Sequence, residues 1–372
     1  MSAKLIQLFS RLPAALPPWS LLGPVAALLA LLALADKPLG GPLLLLVATL
    51  LIAAVLAAVH HAEVVAHRVG EPYGSLVLAV AVTVIEVALI VSLMLAGGEA
   101  AAGLARDTVF SAIMIVCNGV LGLCILAGGW RHRELVFRVE GTSPTLAVLA
   151  ALATLTLVLP TFTTSSPGPT FSRAQLVFAG IVSLVLYGAF VFVQAVRHRD
   201  YFLPPPAGDD ARIEGHAQPP STAVAWISLA LLLLCLIGVV GLAKLLAPSI
   251  EAQVRAAGAP ISLVGVIVAL LVLLPETLAA VRAALHNRLQ TSINLALGSG
   301  LASIGLTIPA VATLSLFLPQ PLLLGLTPTN MVLLVLSFVV GALTLGGGRA
   351  TVLHGAVHLV VFAVFLFLAV VP

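Results

Sequence analysis

The chain has 372 residues, of which 61% are apolar and 8% charged, with a formal net charge of +3. A soluble domain carries roughly 25% charged residues, so this composition excludes a soluble globular protein and describes a polytopic membrane protein. The net positive charge comes from arginines scattered between apolar runs and offers nothing to nucleic acid, while Cys117, Cys124 and Cys235 all lie inside apolar runs and read as small buried hydrophobes rather than redox or metal groups.

Hydropathy predicts eleven transmembrane helices, near 19–35, 42–62, 74–96, 107–129, 144–160, 173–196, 221–246, 260–282, 291–317, 327–345 and 350–371. Several are bounded by Pro or Gly, as at Pro42, Pro144, Pro248 and Gly346–Gly348. The first run follows Lys4 and Arg11 and ends in Ala33-Leu34-Ala35, which resembles a signal-peptidase site. Its long basic region and the span directly after it favour an uncleaved helix, giving an N-terminal region 1–41. With eleven spans and the N-terminus in the cytoplasm, twelve Lys and Arg fall inside: Lys4, Arg11, Arg68, Arg131, Arg133, Arg138, Arg197, Arg199, Arg212, Arg282, Arg288 and Arg349. Lys37, Arg106, Arg173, Lys244 and Arg255 fall outside. This bias predicts an N-in, C-out topology.

Ten helices remain once the first is set aside, in two sets of five. They divide the chain into a first repeat 42–196, a polar linker 197–220 and a second repeat 221–372. The linker RHRDYFLPPPAGDDARIEGHAQPP carries three consecutive prolines and reads as cytoplasmic. Because five is odd, the second set enters the membrane with opposite polarity, which is the inverted-repeat construction of secondary transporters. The predicted fold class is therefore all-α, with one extra helix and two inverted repeats of five.

Each repeat carries one acid in the apolar middle of its second helix. Glu86 lies within the stretch Gly70 to Leu95 and Glu276 within Ser262 to Val281. Twelve residues separate Gly74 from Glu86, roughly 18 Å along a helix and close to mid-bilayer. A carboxylate there costs about 2.5 kcal/mol or more. Burial and a second carboxyl both raise a carboxyl pKa, so such a pair can hold protons near neutrality and release them when a cation arrives. The alternative is a protonated carboxyl that only hydrogen-bonds between helices. Pro275 removes a backbone donor beside Glu276, and Pro309 interrupts the following helix; freed carbonyls at mid-depth are cation ligands, or the kinks serve packing alone. Thr83, Asn118, Thr277, Ser299 and Ser303 are the supporting polar residues, each a ligand or an interhelical hydrogen bond. His60, His61, Glu63 and His67 lie at the end of the second span, and His354 and His358 begin the last; both groups read as solvated helix ends, with a proton sensor or metal site as the alternative.

HHAEVVAHRVGEPYGSLVLAVAVTVIEVALIVSLM with RDTVFSAIMIV, and later GVIVALLVLLPETLAAVRAALHNRLQTSINLALGSGLASIGLTIP, resemble the two halves of ChaA-type antiporters. These are sodium–potassium/proton and calcium/proton antiporters of the cation/calcium exchanger superfamily. The resemblance implies an eleven-helix bacterial inner-membrane protein that exports cations in exchange for protons, without a cofactor. It implies further that Glu86 and Glu276 are the family's two essential acids, that Gly298-Ser299 and Pro309 match its second repeat, and that Asn118 stands where calcium/proton exchangers often have Asn. Val82-Thr83-Val84 and Val272-Leu273-Leu274 replace the Gly-Asn-Ala of those exchangers, and Ala302 replaces their Gln. Fewer neutral oxygens remain for calcium, which takes six to eight, so sodium and potassium gain. The alternatives are a cation channel, from another class, or a strictly calcium-selective proton exchanger; no ATP-binding, Ser-His, GxGD or zinc signature supports an enzyme. The only partners implied are lipid, inorganic cations and protons.

The charge bias generates the first prediction. A topology reporter fused near Arg131 should be cytoplasmic and one near Thr164 periplasmic; both on one side, or the reverse, would break the inverted-repeat argument.

Overall fold

A backbone group in hydrocarbon finds no water, so an apolar run of about 20 residues can satisfy its N–H and C=O groups only as a helix. The computed structural model of the protein describes residues 16–34, 40–70, 73–97, 102–203, 220–317 and 322–372. Eleven helices form among them: α1 Pro18–Leu34, α2 Gly41–Val69, α3 Tyr73–Gly97, α4 Leu104–His132, α5 Val139–Thr161, α6 Arg173–Arg197, α7 Thr222–Ala256, α8 Ser262–Leu285, α9 Leu289–Ser315, α10 Pro328–Leu345 and α11 Val352–Val370. Nine are long and apolar enough to cross a membrane, and the apolar parts of α1 and α3 are shorter. Each expected span corresponds to one helix. Lys4, Arg11, Lys37 and linker residues 204–219 lie outside the described residues.

Three boundaries differ from the sequence reading. The α2 helix continues to Val69 through His60, His61 and His67, because hydropathy marks where the lipid ends and not where the backbone does. Pro144 lies inside α5 and Pro248 inside α7 instead of bounding them. A proline removes one i→i−4 bond, and near a helix end water or a neighbour can take the freed carbonyl. Pro42 and Pro328 do stand in first turns, where a missing N–H costs nothing. Capping boxes start α6, from Ser172 and Gln175, and α11, from Thr351 and His354.

The helices gather into two compact units. One holds α1, α2, α3 and α7 as far as Gln253. Here α2 packs on α1 and α3, and small residues let helices approach closely: a Cβ on Gly23 would stand 3.3 Å from Ala57 Cβ, and one on Gly238 3.0 Å from Ala27 Cβ. Arg68 Nη2 donates to Thr222 Oγ1 at 2.7 Å, tying the ends of α2 and α7.

The other unit holds α4 to α6 and α8 to α11. It is belted by backbone pairing at both ends. Between α4 and α5, β1 (Glu134–Val136) pairs antiparallel with β2 (Arg349–Thr351), which lies between α10 and α11, with Leu135 opposite Ala350. Thr170, between α5 and α6, bridges Leu323, between α9 and α10. Counted within the repeats, each pairing joins a third-to-fourth connection of one to a fourth-to-fifth connection of the other. Inverted repeats require that exchange. Side chains reinforce both belts. Arg106 Nη1 donates to Gly325 O at 3.2 Å. Gln290 Oε1 accepts from Arg138 N at 2.7 Å, and Asn294 Nδ2 donates to Phe202 O at 2.6 Å.

The α8 helix lies against α4 through Gly265, where a Cβ would stand 2.9 Å from the Asp107 carbonyl carbon and the Thr108 nitrogen. Those atoms are backbone and cannot swing aside. Gly265→Ala should therefore destabilise the protein by about 1–3 kcal/mol. Thermal unfolding in detergent measures this, and a melting temperature unchanged from wild type would contradict the close α4–α8 contact.

Candidate functional site

In α3 the residues that turn inward recur at helical spacing: Val82, Ile85, Glu86, Leu89, Ile90 and Leu93 are buried. Glu86 stands at the middle of the helix on this face and is 4% exposed. Thr83, one turn earlier on the same side, is buried, and its hydroxyl donates back to Ala79 O at 2.8 Å.

In the other unit, α8 carries Glu276 past its midpoint, half-buried. The helix runs unbroken through Pro275, and Thr277 Oγ1 donates to Leu273 O at 2.7 Å. Ser292 Oγ donates across to Ala280 O at 2.7 Å, clipping α9 to this helix one turn past Glu276. Glu86 and Glu276 thus occupy corresponding helices of the two repeats, each with a threonine hydroxyl turned onto its own helix nearby.

The third helix of each repeat is widened at mid-length. Ile115–Val120 of α4 and Ser303–Thr307 of α9 form π turns, a rare i→i+5 geometry that often marks functional sites. Asn118, at the midpoint of α4, is fully buried in the first, and Ser303 is buried in the second. Pro309 follows the second directly, in the first turn of the resumed α-helix. The interruption expected near Pro309 is therefore a widened turn just ahead of it. Ser299, one turn before, is half-buried. The Asn118 turn packs against α8, the helix of Glu276.

The histidines separate. His61 is fully buried, with Nε2 3.0 Å from Ser20 O, which joins α2 to α1. Glu63 and His67 are exposed on the same helix, and His60 is half-buried with its ring 5.1 Å from that of Trp19. His354 caps α11 by accepting from Thr351 N at 3.2 Å. His358 does not belong to a solvated helix end: it is fully buried and 3.3 Å from Asn118 Oδ1. Sequence reasoning missed this partner, and with it Ser337 and Thr344, because they lie on the last two helices. The one available signal was glycine: Gly122 one turn from Asn118 and Gly355 one turn from His358 mark where two helices can touch. Cys117, Cys124 and Cys235 are free and buried.

A family model for the sodium/calcium exchanger protein matches residues 40–196 and 227–371. A Sinorhizobium fredii protein provisionally named as an ionic transporter, y4hA, is 55% identical over 334 residues, 89% of each chain. The sodium-potassium/proton antiporter ChaA of Escherichia coli is 37% identical over 317 residues, 85% of each chain. The solved structure of native YfkE has the same fold, with a TM-score of 0.72 at 18% identity over 95% of this chain and 99% of that one. With matches on that scale across both repeats, the chain belongs to the sodium/calcium exchanger family, membrane antiporters of the cation/calcium exchanger superfamily.

Proposed function

We propose that the protein exports sodium and potassium from the bacterial cytoplasm in exchange for protons, with Glu86 and Glu276 carrying the exchanged charge. One observation carries this reading: each repeat places a single carboxyl deep within its second helix, Glu86 only 4% exposed and Glu276 half-buried. Two carboxyls far from water are stable only when neutralised, by two protons or by cationic charge, so loading one displaces the other. Protons arriving from outside displace the cation outward. Their release on the cytoplasmic side leaves the carboxylates ready for the next cation. Thr83 is the polar neighbour of Glu86 in its unit; in the unit of Glu276, Thr277, Ser299, Asn118 and the widened turn before Pro309 are the supporting polar groups, and Pro275 frees a carbonyl. The orientation is N-in, as the charge bias requires.

The choice of monovalent cargo follows from what flanks the acids. Val82, Val84, Val272, Leu273 and Leu274 offer no side-chain oxygen, and calcium takes six to eight. The Escherichia coli relative at 37% identity is named for sodium, potassium and protons.

Everted vesicles with a pH-sensitive dye test this directly: sodium, potassium and calcium are added in turn while an imposed proton gradient is watched for collapse. Glu86→Gln and Glu276→Gln keep size and hydrogen bonding but cannot titrate. Each alone should abolish cation-driven collapse in protein that still folds and inserts, whereas Glu→Asp at either position should retain exchange with weaker cation affinity. Wild-type rates in either Gln variant would contradict the assignment.

A further inference from the structure

Asn118 sits in a polar network whose other members, Ser337, Thr344 and His358, the exchange reading does not use. Asn118 Nδ2 donates to Ser337 Oγ at 2.8 Å, and Ser337 Oγ donates to Leu333 O at 2.7 Å. On the other side Asn118 Oδ1 lies 3.3 Å from His358 Nδ1, while His358 Nε2 lies 3.0 Å from Thr344 Oγ1. Asn118, Ser337 and His358 are fully buried and Thr344 nearly so. A carboxamide oxygen only accepts, so Nδ1 must carry the proton and Nε2 must accept from the threonine hydroxyl. Every bond then runs in one direction: Thr344 to His358, His358 to Asn118, Asn118 to Ser337, and Ser337 to a backbone carbonyl.

Close helix packing makes the contact possible. A Cβ on Gly355 would stand 2.6 Å from Leu126 N, and one on Gly122 3.0 Å from His358 Cβ. The backbones of α4 and α11 meet there, and His358 enters α4 one turn from Asn118, at the widened turn that packs against the Glu276 helix.

We propose that His358 is a positioning residue for cation binding: its Nδ1–H holds the Asn118 carboxamide, and through it the widened turn Ile115–Val120, in the register that α8 requires. Restoring a regular helix there would rotate one half of α4 by about 100° relative to the other, since a π turn holds one extra residue. The face presented to α8, the helix of Glu276, would change with it. This rests on the exchange reading above.

The test exploits where each replacement can put a donor. His358→Asn keeps an N–H near the Nδ1 position, His358→Gln moves it toward Nε2, and His358→Leu removes it and leaves a buried acceptor unpaired. With transport measured in everted vesicles per folded protein, His358→Leu and His358→Gln should raise the half-saturating sodium or potassium concentration roughly tenfold. Maximal rates should change little. His358→Asn should stay within about twofold of wild type. Equal half-saturation in the Asn and Gln variants overturns the proposal, a comparison that holds even if the Leu variant does not fold. Nitrogen-15 spectra of histidine-labelled wild type, read independently of transport, should show the His358 ring neutral with its proton on Nδ1. A proton on Nε2 overturns it. Wild-type vesicles without cation-driven collapse would instead overturn the exchange reading itself.

Discussion

In hydrocarbon, a backbone or side-chain polar group that is not satisfied by the protein is not satisfied at all. That constraint governs where this chain departs from regular helix. The π turn Ile115–Val120 is buried at every residue, and four of the five residues of Ser303–Thr307 are buried too. Both lie at mid-length of their helices, where lipid could not accept an unpaired carbonyl. Two further widened turns lie toward helix ends: Thr154–Val158 of α5 has two buried residues, and Val193–Arg197, with none, closes α6 at its charged end, where water can do the same work. At mid-length the irregular backbone is wrapped by other helices, and those wrapped places coincide with the polar side chains of the third helices.

The same constraint applied to the acids gives the logic of exchange. A lone carboxylate at bilayer depth costs about 2.5–3.5 kcal/mol on insertion scales, and two of them cost about 5–7 kcal/mol, comparable with the whole stability of an ordinary domain. The pair persists on the proposed reading because it is always neutralised, by protons or by cations. A leak would require both carboxylates bare at once. Coupling then follows from electrostatics and calls for no separate energy source, in keeping with the absence of any nucleotide-binding motif in the sequence.

Most of the helical framework was legible because its cause is local: an apolar run of the right length has one stable backbone in a membrane. The odd number of helices in each repeat pointed to the inversion, and the exchanged loop pairings, β1 with β2 and Thr170 with Leu323, fit it. The ends of α2 and α7 were not legible, since polar residues and a proline end a hydropathy peak without ending a helix. Neither were the partners of Asn118. Ser337 and His358 stand 219 and 240 residues away in sequence, and His358 looked like the twin of His354 because they share a helix face. Burial separated them: one caps the helix and the other enters the core. The two mid-length π turns left only a faint trace, a glycine next to Asn118 at Gly119 and one two residues after Ser303 at Gly305.

The central claim is that proton movement and cation movement are one event. Purified protein in proteoliposomes, with the membrane potential clamped at zero and equal sodium on both sides, isolates that claim. An imposed pH gradient should drive sodium to accumulate on the acidic side, above its starting concentration, and the accumulation should vanish when a protonophore collapses the gradient. Sodium that moves only down its own gradient, indifferent to the pH difference, would describe a channel and contradict the account.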